Sequence, residues 1–330
     1  MKRFYASAME LTQSCSPRRF SKVLKVALWL LVFALCSVLT SKVVDAMSIV
    51  DSKPYPSDFF SGELLLVAQA IKEKEIKKAK KLAEALPDID APGKENFTLL
   101  AFAVADNNVP AIKMLMTLGA DPAHQIGKHK DRGTIGSFSM WNRSTKALRA
   151  LLESGMDPDQ RETDRTLIYK VPELRDNDSL KLLVEFGADV NARDRLGQTP
   201  LFDFINVSFD EALYLLDHGA DPFVMDRSGM TTAYSVQDEL NNMDKSTEAY
   251  QKMLTIQQKM TELGVTFPAL TPYGERFRNG IVYCKEPRGY RPRAECKVEG
   301  VNRFLKPQSE ESKLADEKIL RERYGIDAKL

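Results

Sequence analysis

The sequence predicts an all-α repeat solenoid, and three observations predict it. A short segment recurs as "LGADPA" from Leu118, "SGMDPD" from Ser154, "FGADVN" from Phe186 and "HGADPF" from His218, which places Gly119, Gly155, Gly187 and Gly219 about 32–36 residues apart. Each copy follows an amphipathic run ("AIKMLMTL", "ALRALLE", "SLKLLVE", "EALYLLD") of the kind that buries one face of a helix. About twenty residues before each glycine stands a threonine, Thr98, Thr134, Thr166 or Thr199, and Thr231 continues the series into an extended last unit ending near Gly264. Self-similarity at this period marks an array in which each unit buries its apolar face against its neighbours.

Residues 1–46 are set apart from the array. "VALWLLVFALCSVLTS", residues 26–41, is uncharged and strongly apolar, and it follows Lys2, Arg3, Arg18, Arg19, Lys22 and Lys25 against a single acidic residue, Glu10. With Val44 and Ala46 two apart, it reads as an export signal cut after Ala46. The alternative is an uncleaved anchor: a helix over this run reaches about 24 Å, short of the roughly 30 Å hydrocarbon core, but the leader is long for a signal. Positive charge ahead of the apolar run puts residues 47–330 outside the cytoplasm in both readings, in the periplasm or held to the inner membrane. Residues 47–61 are expected as a linker.

The array itself is assigned to residues 62–267. "GQTPLF" at 197–202 and "GADVNA" at 187–192 resemble the two signatures of the ankyrin repeat, and "TLLA", "TLIY" and "TTAY" are degenerate copies of the first. The resemblance implies helix-turn-helix units, paired antiparallel helices joined by outward-pointing β-turn tips. "GELLLVAQAIKEKEIKKAKKLAEALPDID" is expected as an N-terminal capping unit, its charges facing solvent. Three places after the threonine, where the family usually carries a histidine that links neighbouring turns, stand Ala101, Ser137, Tyr169, Phe202 and Tyr234, so loss of that polar link is expected. Gly136 falls inside the third unit's first helix, at a cost near 1 kcal/mol relative to alanine. Ahead of the threonines, Gly197 and Gly229 occupy the turn position; Asn96 and Asp164 replace glycine elsewhere and tolerate left-handed backbone, and Gly133 takes the bend that Arg132 does not.

Residues 268–330 change character. "GIVYCK" and "AECKVEG" flank a Pro- and Arg-rich loop, which suggests a small hairpin. Cys284 and Cys296 are expected as a disulfide pinning it, worth about 3 kcal/mol on the chain-entropy estimate; a zinc pair is the alternative. The final "ESKLADEKILRERYG" reads as a helix with Leu314, Ile319, Leu320 and Tyr324 near one face, folded back over the last repeat.

Chemistry is sparsely provided for. The chain has three histidines and a net charge of +1, and carries no G-x-S-x-G elbow, phosphate loop, H-E-x-x-H or C-x-x-C motif. Mixed charge offers no nucleic-acid footprint. A non-enzymatic binder without cofactor or metal is expected, touching membrane only through an uncleaved N-terminal segment. The ankyrin resemblance implies that another protein is held on a concave face built from turn tips and first helices. Mapped onto this chain, the tips supply Phe97, Lys130, Arg165, Arg195, Gln198, Arg227 and Met230, and the first helices supply Trp141, Asn142, Glu173 and Asn206. Exported bacterial ankyrin proteins include immunity proteins that neutralise toxins delivered by rival cells, type VI secretion effectors among them. A scaffold for an envelope enzyme and a secreted effector acting on a host protein are the alternatives.

Overall fold

The computed structural model describes residues 54–127, 133–141, 145–174, 177–279, 283–286, 289–292 and 309–330. Residues Tyr55–Leu330 form one compact unit. A short helix, α1 (Pro56–Phe59), leads into the pairs α2 (Gly62–Lys72) with α3 (Ile76–Ala83), α4 (Leu99–Ala105) with α5 (Val109–Thr117), and α6 (Ile135–Ser139) with α7 (Lys146–Glu153). In the fourth pair a 3-10 turn, Leu167–Lys170, runs into α8 (Val171–Leu174) ahead of α9 (Asn177–Glu185). A continuous α-helix there would need an N–H at Pro172 to bond back to Ile168, and proline has none. The fifth and sixth pairs are α10 (Pro200–Val207) with α11 (Phe209–Asp217), and α12 (Thr232–Asn242) with α13 (Glu248–Glu262).

First helices pack on first helices from α2 through α12, and second helices pack on second helices along α3, α5 and α7 and again from α11 to α13. The result is two helical layers with the core between them, filled by Leu99, Leu100, Ile112, Leu115, Leu148, Leu151 and Phe204, all but shut off from solvent. The recurring threonines start the first helices. The hydroxyls of Thr98, Thr134 and Thr231 accept the backbone N–H of Ala101, Ser137 and Tyr234 at 3.3, 3.2 and 3.1 Å. Each satisfies a helix-end donor that would otherwise lack a partner, a contribution of about 1 kcal/mol. At the other end of each unit, Gly119, Gly155, Gly187 and Gly219 hold φ between 88° and 95°, where a Cβ would be strained.

Several expectations need correction. The stretch expected as a linker puts Phe59 and Phe60 in the core: Phe59 stacks on Phe97 at 4.4 Å, and Phe60 meets the edge of Phe102 at 5.8 Å. The left-handed residue of the fourth turn is Thr163, at φ 59°, rather than Asp164. Here β1 (Arg161–Glu162) and β2 (Arg165–Thr166) pair with Glu162 opposite Arg165, so the turn is two residues long and bends at the first. Gly136 is more than a weak helix former, because a Cβ there would lie 2.8 Å from Oε1 of Gln160. That close approach lets the Gln160 amide reach the Pro122 carbonyl at 3.1 Å.

At Tyr169 and Ser137 a polar link between turns survives without histidine, whereas Ala101 and Phe202 carry no group that could make one. The buried Tyr169 hydroxyl lies 2.8 Å from the Ala192 carbonyl and 2.7 Å from the Gln198 carbonyl, and the Ser137 hydroxyl donates to the Glu162 carboxylate of the next turn. Hydroxyls on those side chains span the gap that an imidazole would fill.

Beyond the sixth pair come α14 (Pro272–Arg278), an antiparallel hairpin of β3 (Tyr283–Glu286) and β4 (Gly289–Pro292), and α15 (Glu310–Tyr324). Cys296 and the Cys284 side chain lie outside the described residues, as do residues 26–41. No helix among the described residues is long and apolar enough to cross a membrane. Asp316 of α15 accepts the Thr271 N–H at 3.0 Å and the Thr271 hydroxyl, at the start of α14. This anchor sets the rotation of α15: Ile319 and Leu320 turn inward with Leu270 and Ala328, whereas Leu314, expected on the same face, stays 64% exposed.

Candidate functional site

The repeat register defines a row on the first-helix layer. Seven residues after each unit's threonine stand Ala105, Trp141, Glu173, Asn206 and Asp238. Trp141 follows the last turn of α6, its N–H bonded to the Phe138 carbonyl, and remains 44% exposed. Asn206 is exposed with its amide folded back onto the Phe202 carbonyl at 3.0 Å; Val207 beside it is 63% exposed, and Asp238 on α12 is exposed as well. Lys130, Asn142 and the Glu173 side chain lie outside the described residues.

The turn tips run alongside this row, tied to one another. Asp194, its carboxylate 1% exposed, accepts the backbone N–H of Leu196 and Gln198 inside its own tip at 2.8 and 3.0 Å. Asp226 repeats the pattern one unit on, taking the N–H of Ser228 and Met230. Side chains then cross from tip to tip. Arg165 reaches Asp194 at 3.1 Å and Asp203 at 2.8 Å with its guanidinium 4.8 Å over the Tyr169 ring, and the Gln198 amide donates to Asp226 at 3.0 Å. The Arg165 pKa is raised: burial opposes its charge, but Asp203 and Asp194 outweigh it. Glu162 shows the mirror effect. Burial opposes its charge, yet the Ser137 hydroxyl, the Thr134 N–H and Lys170 hold it below the ordinary carboxylate value.

The mapped residues therefore divide. Phe97 is fully buried against Phe59 and Phe138, so it is core and cannot be a contact residue; α1, which the linker expectation overlooked, covers it. Arg165 and Gln198 are half-buried parts of the tip framework, and Met230 is half-buried with its N–H held by Asp226. Arg195, Arg227 and Trp141 present their side chains outward, and Asn206 is exposed with its amide turned back on its own helix. Residues not anticipated from the repeat pattern join them: Arg161 and Arg193 are exposed on the tips, Leu196 next to Arg195 is 49% exposed, and Val207 stands beside Asn206. Their signal was available in the register, since Arg193 and Leu196 flank Arg195 and Val207 follows Asn206.

No protein-family model matches the chain, and no curated protein matches it. Solved structures do. The chain is similar to the ankyrin repeat domain of Bcl-3, described as a unique member of the IkappaB protein family, at 21% identity and a TM-score of 0.50, over 63% of this chain and 90% of that one. It is also similar to EF0377, an ankyrin repeat protein (22% identity, 61% of this chain and 99% of that one, TM-score 0.46). A third is an ankyrin repeat domain from Acinetobacter baumannii AYE (23% identity, 58% and 96%, TM-score 0.44). Likeness at this level of identity shows the fold, an all-α ankyrin-type repeat array.

Proposed function

We propose that the chain is a non-enzymatic protein-binding module whose partner lies across the turn tips and the first-helix layer, a concave face. The observation that carries this reading is Trp141, a large aromatic left 44% exposed in the same register as exposed Asn206 and Asp238. Tryptophan at such a position forms interface hot spots, because it removes much apolar area from water while its indole N–H makes one directed contact. The tip framework beneath is held by buried hydrogen bonds, so little order has to be imposed when a partner docks.

The basic leader and the apolar run at 26–41 support a location outside the cytoplasm, with the array in the periplasm as a secreted domain or on an anchor. Together with the likeness to ankyrin arrays, that location supports an immunity role in which the partner is a secreted toxin neutralised by binding. Deleting the protein should then leave cells sensitive to a toxin encoded beside it; survival unchanged would count against immunity and favour a scaffold for an envelope enzyme. The binding reading is tested first by capture from envelope extract with the tagged full-length chain in mild detergent, beside Trp141→Ala. One stoichiometric partner, weakened by the alanine, is the expected result; equal capture by both would remove Trp141 from the interface.

A further inference from the structure

We infer that the outer edge of the tips in the fourth to sixth units is a cationic rail that receives an acidic, carboxylate-rich segment of the partner protein. This rests on the binding reading above and adds the chemistry of what is bound. The chain's net charge of +1 conceals a segregation produced by folding. The tips spanning residues 161–166, 193–198 and 226–230 carry four carboxylates, and most of that negative charge is turned inward. Asp194 and Asp226 are buried and occupied by their own tips' N–H groups. Glu162, its side chain 13% exposed, faces Thr134, Ser137 and Lys170. Only Asp164 keeps a third of its side chain in solvent.

Of the arginines in the same tips Arg165 is taken up by Asp194 and Asp203, and the other four, Arg161, Arg193, Arg195 and Arg227, are exposed. Arg161 donates to two backbone carbonyls, those of Asp164 at 2.7 Å and Arg193 at 3.4 Å, neither of them a carboxylate, and Asp159 feels its charge only as a minor influence. Arg195 pairs with Asp164 at 3.5 Å but is 79% exposed, an ion pair of little strength in high dielectric. Arg193 and Arg227 are exposed on the two following tips. Guanidinium groups on consecutive units thus form a row with Leu196, 49% exposed, set among them. Planar guanidiniums bind carboxylates through paired N–H donors, and an apolar side chain in the row favours a polypeptide over a bare polyanion.

The test uses the full-length protein in mild detergent and a labelled poly-glutamate peptide, beside poly-lysine and single-stranded oligonucleotide probes. Poly-glutamate should bind, with affinity falling as salt rises from about 0.05 M to about 0.5 M. The triple substitution Arg161→Gln, Arg193→Gln, Arg195→Gln should lower affinity by roughly tenfold or more, with circular dichroism unchanged. Removing three charges elsewhere, by Lys77→Gln, Lys78→Gln and Lys81→Gln on α3, should leave binding as it was. Equal loss in both triples would mean undirected charge attraction and would overturn the proposal. Tighter binding of the oligonucleotide, lost with the arginines, would replace the acidic protein by nucleic acid. If no probe binds while Trp141→Ala still weakens partner capture, the rail fails and the binding face stands.

Discussion

Replacing Tyr169 by phenylalanine should cost the array about 2 kcal/mol, and the structure shows where that cost arises. The hydroxyl has one proton and faces two carbonyls, those of Ala192 and Gln198. The Gln198 carbonyl also accepts the Asp194 N–H at 3.0 Å, so it keeps a partner when the hydroxyl is removed. The Ala192 carbonyl faces no other donor at hydrogen-bonding distance among the described residues, and its residue is buried. The variant therefore strands one buried acceptor, which costs about 1–3 kcal/mol. The ring stays, and with it the 4.8 Å contact to the Arg165 guanidinium, so neither cavity nor cation–π loss is added. A loss near 2 kcal/mol corresponds to about 4–8 °C in Tm for a domain of this class. Equilibrium urea denaturation of the two proteins measures it, and hydrogen exchange should place the loosening at the 192–198 tip. A difference under about 0.5 kcal/mol would show that the carbonyl finds water instead, and that hydroxyls do not substitute for the missing histidine link.

Other expected outcomes follow from the same contacts. Thr98→Val should lower stability by about 1 kcal/mol through loss of its helix cap, whereas Thr199→Val, whose buried hydroxyl has no hydrogen-bond partner among the described residues, should be neutral or stabilising in the same denaturation assay. Burial raises the Asp159 carboxyl above its ordinary value despite the Asp189 N–H that it accepts, with the charges of Asp189 and Asp157 adding to the rise. The folded state then binds that proton more tightly than the unfolded chain, so ionisation costs stability at neutral pH. Asp159→Asn should accordingly stabilise at pH 7, and the gain should fade as pH falls through the raised value; a gain unchanged near pH 4 would refute the linkage. Gly133→Ala should destabilise by more than about 1 kcal/mol, since the glycine holds φ 77° and a Cβ would lie 2.2 Å from Oε1 of Glu162. Thermal melts that coincide with the parent would show that the tip yields.

What the sequence made legible was whatever the repeat period carries. The threonines that start helices, the glycines that end them and the alternation of the two layers follow from local backbone chemistry that each copy restates. Phe97 shows where this stops. Its position in the period is a tip, but its partner, Phe59, lies in α1, a segment with no counterpart in any other unit. Tyr169 shows the converse: its register was read, yet its reach to Ala192 depends on where the next tip folds. Leu314 and Ile319 were indistinguishable by helical periodicity until Asp316 fixed the rotation of α15 from outside the helix. The charge segregation at the tips was hidden for the same reason, because composition counts Asp194 and Arg195 alike and only folding turns one in and the other out.

The seams between units have a bearing on how such a chain changes length. Asp90 accepts the N–H of Asp121, Asp159 that of Asp189, and Asn191 that of Asp221, each at 2.8–3.1 Å. The donor is main chain and the acceptor is a short Asx side chain, so nothing in the joint identifies which unit it joins. A chain that loses or duplicates one whole period between Asp159 and Asp221 meets a compatible edge on both sides, and the joint re-forms. Ala123 occupies the matching place one period earlier and offers no such acceptor. Duplications and excisions should therefore be tolerated best among the last three units, and a series of constructed length variants would reveal that polarity.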